Sequence, residues 1–260
     1  DAAGALEAFR EGLDADDTNL EIYAGMDQAL SMLARPAHER VAALERYPDL
    51  ANMPAELVYS LALNRAEAED FDGAAALFRN RFFPREEGGT NVRQVWVEVK
   101  TMQALSQAVA RQCEAATATV RGIGAEVSGL AFTRDGMQPF VNAPRTQYLL
   151  AQVDAGCDRA AQAEERWRAV AAATGTAQLV WARAAAKKLG GYDEAKWRPR
   201  LEAALAHEEA RSPYIAGMLE AALGHASAAH TDFEDALVLQ DRGLSHHLSR
   251  LAMAGTAMPE

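Results

Sequence analysis

A recurring triad of side chains is the feature that most constrains how this chain folds. The full copies have a small residue, a bulky apolar residue four positions later and an apolar or small residue three after that, as in Ala163, Trp167 and Val170. Arg81 breaks the last place of one copy, and a weaker copy has Trp197 in its first place. Spacings of four and three place all three side chains on one face of an α-helix. The bulky members stand 32 to 47 residues apart, at Phe9, Val41, Phe78, Val120, Trp167, Leu201 and Phe233. Such a period predicts an array of helical repeats.

A second helical stretch precedes most copies of the triad, and short breaks separate the two. The breaks carry turn residues, such as Gly190 and Gly191, which favour the joining of antiparallel helices. We therefore predict paired helices, with the first member of each pair at 20–33, 55–69, 92–109, 147–155, 177–189 and 214–223. A last helix over 244–251 is expected to cover the final apolar face, as terminal repeats do.

Composition narrows the function classes. The 260 residues are 49% hydrophobic, and 26 basic against 37 acidic side chains give a net charge of −11. An acidic chain lacks the clustered Lys and Arg that track phosphates, so nucleic acid is not expected as a partner. Charge-free stretches such as 169–182 fall short of the roughly 20 apolar residues that span a bilayer, so no membrane span is predicted.

We expect a single domain over 1–260, with insertions at 81–91 and 122–144. The chain starts at Asp1 without Met, and its first helix has the pattern of the second half of a pair. It is therefore predicted to be a piece of a longer chain.

The stretch 214–239 places small Gly217, turn Gly224 and the triad Ala229, Phe233 and Ala236 in order, and 57–78 repeats most of this pattern. In these positions the chain resembles the tetratricopeptide repeat family. The resemblance implies an all-α protein, a right-handed α-α superhelix (TPR-like solenoid) of about six helical hairpins plus a terminal capping helix. It also implies a scaffold that binds extended peptides on its concave face.

The stretch 81–96 (RFFPREEGGTNVRQVW) is similar to a segment in the helical C-terminal region of large bacterial proteins. Their N-terminal part is a β-rich, uncharacterised, carbohydrate-associated domain. This second resemblance implies an alternative function, the helical accessory half of a carbohydrate-active or carbohydrate-binding protein.

No pattern of catalytic or metal-binding residues stands out. The six histidines lack the spacing of metal ligands, no strand-turn-helix elbow holds a nucleophile, and the loop carboxylates Glu86 and Glu87 are interpreted as solvated surface. We predict no enzymatic activity, no metal and no cofactor. Cys113 and Cys157 are interpreted as separate, inert thiols in helices. A cytoplasmic location is expected, with the periplasm as the alternative.

The two insertions are the candidate binding surface because loops of this length are usually functional or disordered. They follow the second helices of successive pairs, so we expect them to fold against each other with an apolar floor and a basic rim. The alternative is that they only cover the edge of the array. The candidate binding residues in and beside them are Phe82, Phe83, Arg85, Arg93, Phe132, Arg134 and Arg145.

The concave face offers a second set of candidates on the first helices of the pairs. These are Tyr59, Arg183 and Tyr214. They lack the repeated Lys and Asn that clamp a terminal carboxylate in chaperone-binding members of the family. The expected function is a non-enzymatic protein-interaction or scaffold module whose partner is a protein, a peptide or a missing domain of the same chain, with carbohydrate as the alternative ligand.

Overall fold

Helices dominate the structure, a computed structural model that describes residues 1–83, 90–125, 128–130, 132, 136–207, 211–239, 243–256 and 258–259. Within these ranges the chain forms fifteen α-helices and no β-strand, which confirms the all-α prediction. Among the described helices, none is both long enough and apolar enough to cross a membrane.

The helices are α1 (Ala2–Ala15), α2 (Leu20–Met32), α3 (Ala37–Leu44), α4 (Ala55–Glu67), α5 (Phe71–Ala76), α6 (Val92–Val109), α7 (Cys113–Gly122), α8 (Gln138–Val141), α9 (Pro144–Gly156), α10 (Ala160–Ala171), α11 (Leu179–Lys188), α12 (Glu194–Leu205), α13 (Pro213–Leu223), α14 (Ala226–Val238) and α15 (Leu244–Met253). Short 3-10 turns at Leu50–Asn52 and Thr176–Gln178 precede α4 and α11.

Six neighbouring pairs correspond to the predicted hairpins: α2 with α3, α4 with α5, α6 with α7, α9 with α10, α11 with α12, and α13 with α14. The two members of every pair pack against each other. The predicted first helices agree with the observed ones to within about three residues at each end. The β-branched stretch 92–99 is helical, as predicted, because its apolar periodicity continues to the end of α6.

Small residues allow these helices to approach closely. A Cβ added at Gly25 of α2 would lie 2.3 Å from Cζ of Phe9, and one added at Gly217 of α13 would lie 2.6 Å from Cε1 of Phe233. The glycines thus accept the bulky members of two triads. Phe233 is buried, whereas Trp167 is only half-buried against the same core.

The two cysteines form a disulfide, so their interpretation as separate thiols was wrong. Cys113 begins α7 and Cys157 follows the last turn of α9. Packing of α7 against α9 brings their Cα atoms to 5.3 Å although 44 residues separate them, a distance typical of a disulfide. Triad spacing carried no information about this contact because it arises between neighbouring pairs.

The described parts of the two insertions meet. The backbone N–H of Asn80 donates to the carbonyl of Gly129 at 2.6 Å. The Phe132 ring lies 6.3 Å from Phe83 and 6.1 Å from Trp96, centroid to centroid. Phe132 and Phe83 therefore extend the apolar core beneath the insertions.

The two ends of the array also meet. Helix α14 packs against α2, and Nε2 of Gln28 donates to the Leu237 carbonyl at 2.7 Å. The backbone N–H of Leu244, at the start of α15, donates to Oγ1 of Thr90 at 3.2 Å. Helix α15 packs beside α13 and α14, as expected of a terminal cap. It also contacts α2 and α4 of the first two pairs.

Candidate functional site

Helix α15 fills one half of a groove formed by the inner helices. Its residues contact α2, α4 and α6, which lie 149 to 219 residues earlier in the sequence. His247 is fully buried there, and Arg250 is nearly so. The last helix was expected to cover the final apolar face, and it also contacts these earlier helices.

Glu67 of α4 is the centre of the contacts that hold α15. Its Oε1 lies 2.7 Å from Nδ1 of His247 and 2.8 Å from Nη2 of Arg250, and its Oε2 pairs with Arg40. Burial alone would raise the pKa of Glu67, but Arg250, His247 and Arg40 outweigh it and hold the pKa well below the ordinary range. Glu67 is therefore a carboxylate shared by three cation-forming side chains.

Glu98 of α6 extends the network to the other side of the groove. Its Oε1 lies 3.2 Å from Nε2 of His247 and accepts from Nη2 of Arg145 at 2.9 Å. Burial opposes ionisation of Glu98, yet Arg145 and His247 lower its pKa to about 2. Tyr214 hydrogen-bonds to Arg145, and burial raises the pKa of its hydroxyl to about 12.

His247 lies between two ionised carboxylates, one at each ring nitrogen. Arg40, Glu67 and Arg250 also line a cavity beside this network, and among the described residues no three metal-ligating side chains converge on a possible ion site. The hydrogen bonds and ion pairs of Glu67 and Glu98 hold α15 in the groove, since breaking a buried ion pair is strongly destabilising.

The other half of the groove is open, with a cavity of about 1150 Å³. We call this cavity the open groove. Its walls come from the ends of α2, α4, α6 and α15 and from the flank of α14. Three of its apolar side chains are exposed to an unusual degree, Val109 at 85%, Val238 at 57% and Met32 at 45%. Further apolar lining comes from Phe71, Met102, Leu105, Leu251 and Met253.

Carboxylates dominate the charge at the mouth of the open groove. Glu69, Glu234 and Asp235 line it and are exposed. The exposed cation on this rim is Arg35, which already pairs with Glu39 at 2.9 Å. Glu69 and Asp235 make no ion pair with any described residue. The rim is therefore acidic around an apolar wall.

A smaller cavity of about 530 Å³ lies between α11, α12 and α13. Arg183, Lys187 and Arg198 line it together with Glu194. Glu194 already accepts from Nε of Arg198 at 3.1 Å. Arg183 donates to the Tyr192 hydroxyl at 3.1 Å, and the guanidinium lies over that ring. These contacts occupy most of the polar groups of the cavity.

The structure distributes the predicted site residues over several places. Arg145 and Tyr214 belong to the buried network. Tyr59 and Phe83 are buried in the core with their ring centroids 5.7 Å apart, so a ligand would reach them only after rearrangement. Phe82 is 81% exposed.

The remaining predicted site residues are Arg93, Phe132, Arg183, Arg85 and Arg134. Arg93 is half-buried in the first turn of α6, where its N–H donates to the Asn91 side chain. Phe132 is half-buried in the core beneath the insertions, and Arg183 lines the smaller cavity. Arg85 and Arg134 lie outside the described residues.

Sequence reasoning missed the residues that hold α15. Asn64 and Glu67 interrupt an otherwise apolar face of α4, and Glu98 does the same in α6. Polar residues on a face that should be buried are the available signal, because they need partners. The partners of His247 and Arg250 lie 149 to 219 residues away, so local spacing carries no sign of them.

No family model matches the chain, and neither the curated proteins nor the solved structures include one similar enough to count as a match.

Proposed function

We propose that this chain is a non-enzymatic protein-interaction module, a tetratricopeptide-like right-handed superhelix that holds a segment of a partner protein in the open groove. The segment belongs to another protein or to a further domain of the same chain. The proposal rests first on one observation, the open groove of about 1150 Å³ with exposed Val109, Val238 and Met32 on its wall.

Size and surface both favour a polypeptide ligand. Small-molecule sites usually have volumes of about 300–1,000 Å³ and enclose the ligand, whereas this cavity is larger and opens on one side. Exposed apolar side chains that cluster on one surface mark interaction sites in soluble proteins. The neighbouring half of the same groove already accommodates a helix, α15, which supports a polypeptide in the open half.

Site-specific photocrosslinking tests the proposal. A photoreactive amino acid at Val109 should give a discrete protein adduct in cells of the source organism, and the crosslinked peptide should belong to one partner. The same amino acid at the exposed residue Glu165 of α10 is the matched control. Val238→Glu should abolish the adduct at position 109. Absence of an adduct at 109, or identical adducts at 109 and 165, would contradict the proposal.

The carbohydrate alternative depends on aromatic side chains that a sugar could reach. Of the aromatics predicted around the insertions, Phe83 and Phe132 pack into the core and Phe82 is exposed. One exposed ring is weak support for a sugar platform, so the protein-interaction proposal is preferred.

We further propose that the chain folds in an oxidising compartment, which favours the periplasm over the cytoplasm. The Cys113–Cys157 disulfide supports this, because disulfides persist in oxidising environments and are rare in the cytosol. Mass spectrometry of the protein isolated from its native compartment without reductant should find the bridge formed, and free thiols there would contradict this proposal.

A further inference from the structure

The charge around the open groove identifies the chemistry of its occupant. We infer that the open groove takes an amphipathic helix that has an apolar face and Lys or Arg residues along its flanks. This inference rests on the proposed function and names the class of partner segment that the same site selects.

The apolar wall accounts for one face of such a helix. Val109, Val238 and Met32 project from three different helices, α6, α14 and α2, around one cavity. An amphipathic helix in a groove is anchored by side chains spaced three and four residues apart on one face. In the adjacent half, α15 uses that spacing itself, with His247, Arg250 and Leu251 turned toward the groove.

The acidic rim accounts for the flanks. Glu69 lies after the end of α4, while Glu234 and Asp235 lie on the exposed side of α14, and all three line the cavity. Cations on an incoming helix would meet carboxylates from two separate parts of the rim. Complementary charge at a rim increases the association rate and selects between partners.

Further carboxyl groups lie beside the rim. Asp232 is close enough to Glu220 and Asp235 for their charges, together with burial, to raise its pKa. Nε2 of His230 lies 3.4 Å from Glu234, whereas Asp235 makes no ion pair with a described residue. The floor differs from the rim, because Arg40 and Arg250 lie there and both pair with the single carboxylate of Glu67.

Two synthetic peptides of fifteen residues test the inference. Both carry Leu at positions 1, 4, 5, 8, 11, 12 and 15, and their polar positions are all Lys in one and all Glu in the other. We expect the Lys peptide to bind roughly tenfold more tightly by calorimetry, because three exposed ion pairs together amount to about one factor of ten. Added salt should reduce this difference.

Charge reversal at the rim should invert the preference. The variant Glu69→Lys, Glu234→Lys, Asp235→Lys is compared with Glu7→Lys, Glu11→Lys, Glu165→Lys, which makes the same change in net charge on exposed positions of α1 and α10. The second variant should keep the preference for the Lys peptide. Equal loss in both variants would show that net charge alone selects the peptide and would overturn the inference.

The remaining outcomes separate the inference from the proposed function. If both peptides bind equally, or the Glu peptide binds more tightly, and Val109→Glu abolishes binding, the groove binds polypeptide but the basic partner is wrong. If neither peptide binds, the inference is also overturned, while photocrosslinking at Val109 decides the proposed function independently.

Discussion

The two halves of the groove differ in whether their side chains have partners within the chain. In the half that holds α15, ionised side chains lie buried and nearly every one has a partner, as Glu67 and Glu98 show. In the open half, apolar side chains such as Val109 contact solvent, and Glu69 and Asp235 on the rim make no ion pair with a described residue. The first half thus has the properties of a finished interface, and the second has those of an interface without its partner.

This difference predicts that substitutions in the two halves act on stability to different extents. Buried ion pairs add little net stability compared with apolar packing, but the removal of one member leaves an unpaired buried charge and destabilises the protein strongly. They therefore fix α15 in one position. A substitution of an apolar side chain that is exposed to water should leave the stability of the free protein nearly unchanged. The same substitution should weaken the binding of a partner that covers this side chain. Substitutions in the two halves should separate these effects.

The largest effect is expected from Glu67→Ala. It leaves Arg40, His247 and Arg250 without their shared carboxylate in a buried site, and removal of one partner of a buried pair costs about 3–5 kcal/mol. Urea unfolding monitored by circular dichroism measures the change in free energy of unfolding.

Glu234→Ala, on the rim of the open half, is the control for Glu67→Ala and should change stability by no more than about 0.5 kcal/mol. Equal destabilisation by the two variants would remove the distinction between the halves.

Acid should destabilise the half of the groove that holds α15. The pKa of Glu98 is lowered from its ordinary 4.5 to about 2, so ionised Glu98 contributes stability above pH 4.5 that is lost as the pH falls toward 2. A depression of this size corresponds to about 3 kcal/mol. The measurement is the free energy of unfolding between pH 6 and pH 2.

Glu98→Gln supplies the comparison for the acid prediction, because the Gln variant has no carboxyl to titrate at this position. Its stability should start lower and fall less steeply over the same pH range. Parallel curves for the wild-type protein and the variant would show that other carboxyls cause the acid loss.

Replacement of the disulfide should lower the stability of the fold without altering binding in the open groove. Cys113→Ser with Cys157→Ser removes a cross-link that closes a loop of 44 residues, and typical values for such a loss are about 2–4 kcal/mol. Both cysteines lie outside the open groove. Thermal unfolding should therefore shift down while the affinity for the Lys peptide at 25 °C stays the same, and a large change in that affinity would refute the separation.

The smallest effect is expected in the open half. Val109→Ser should leave the free energy of unfolding within about 0.5 kcal/mol of the original because the side chain is already in water. Val95→Ala in the same helix is the matched buried change and should cost about 2 kcal/mol. If Val109→Ser proves as costly as Val95→Ala, the surface around Val109 is not free.

Periodicity predicted the helices well because the buried face of each helix is visible as a regular spacing of apolar residues that are close together in the sequence. The spacing within α6 and the turn at Gly224 concern residues close along the chain, and capping and turn chemistry act over the same range. The candidate site escaped prediction for the opposite reason. His247 and Glu98 meet across 149 residues, and Cys113 meets Cys157 through the packing of neighbouring pairs, so neither contact leaves a local pattern.

The long sequence separation of the α15 contacts has a consequence for biosynthesis. Proteins begin to fold from the N-terminal side as they are made, and contacts distant in sequence form late. Helices α2, α4 and α6 leave the ribosome well before α15 exists. During that interval the entire groove is vacant, with Glu67 and Glu98 lacking His247 and Arg250. A chaperone would encounter a wider apolar and acidic surface on the nascent chain than on the mature protein.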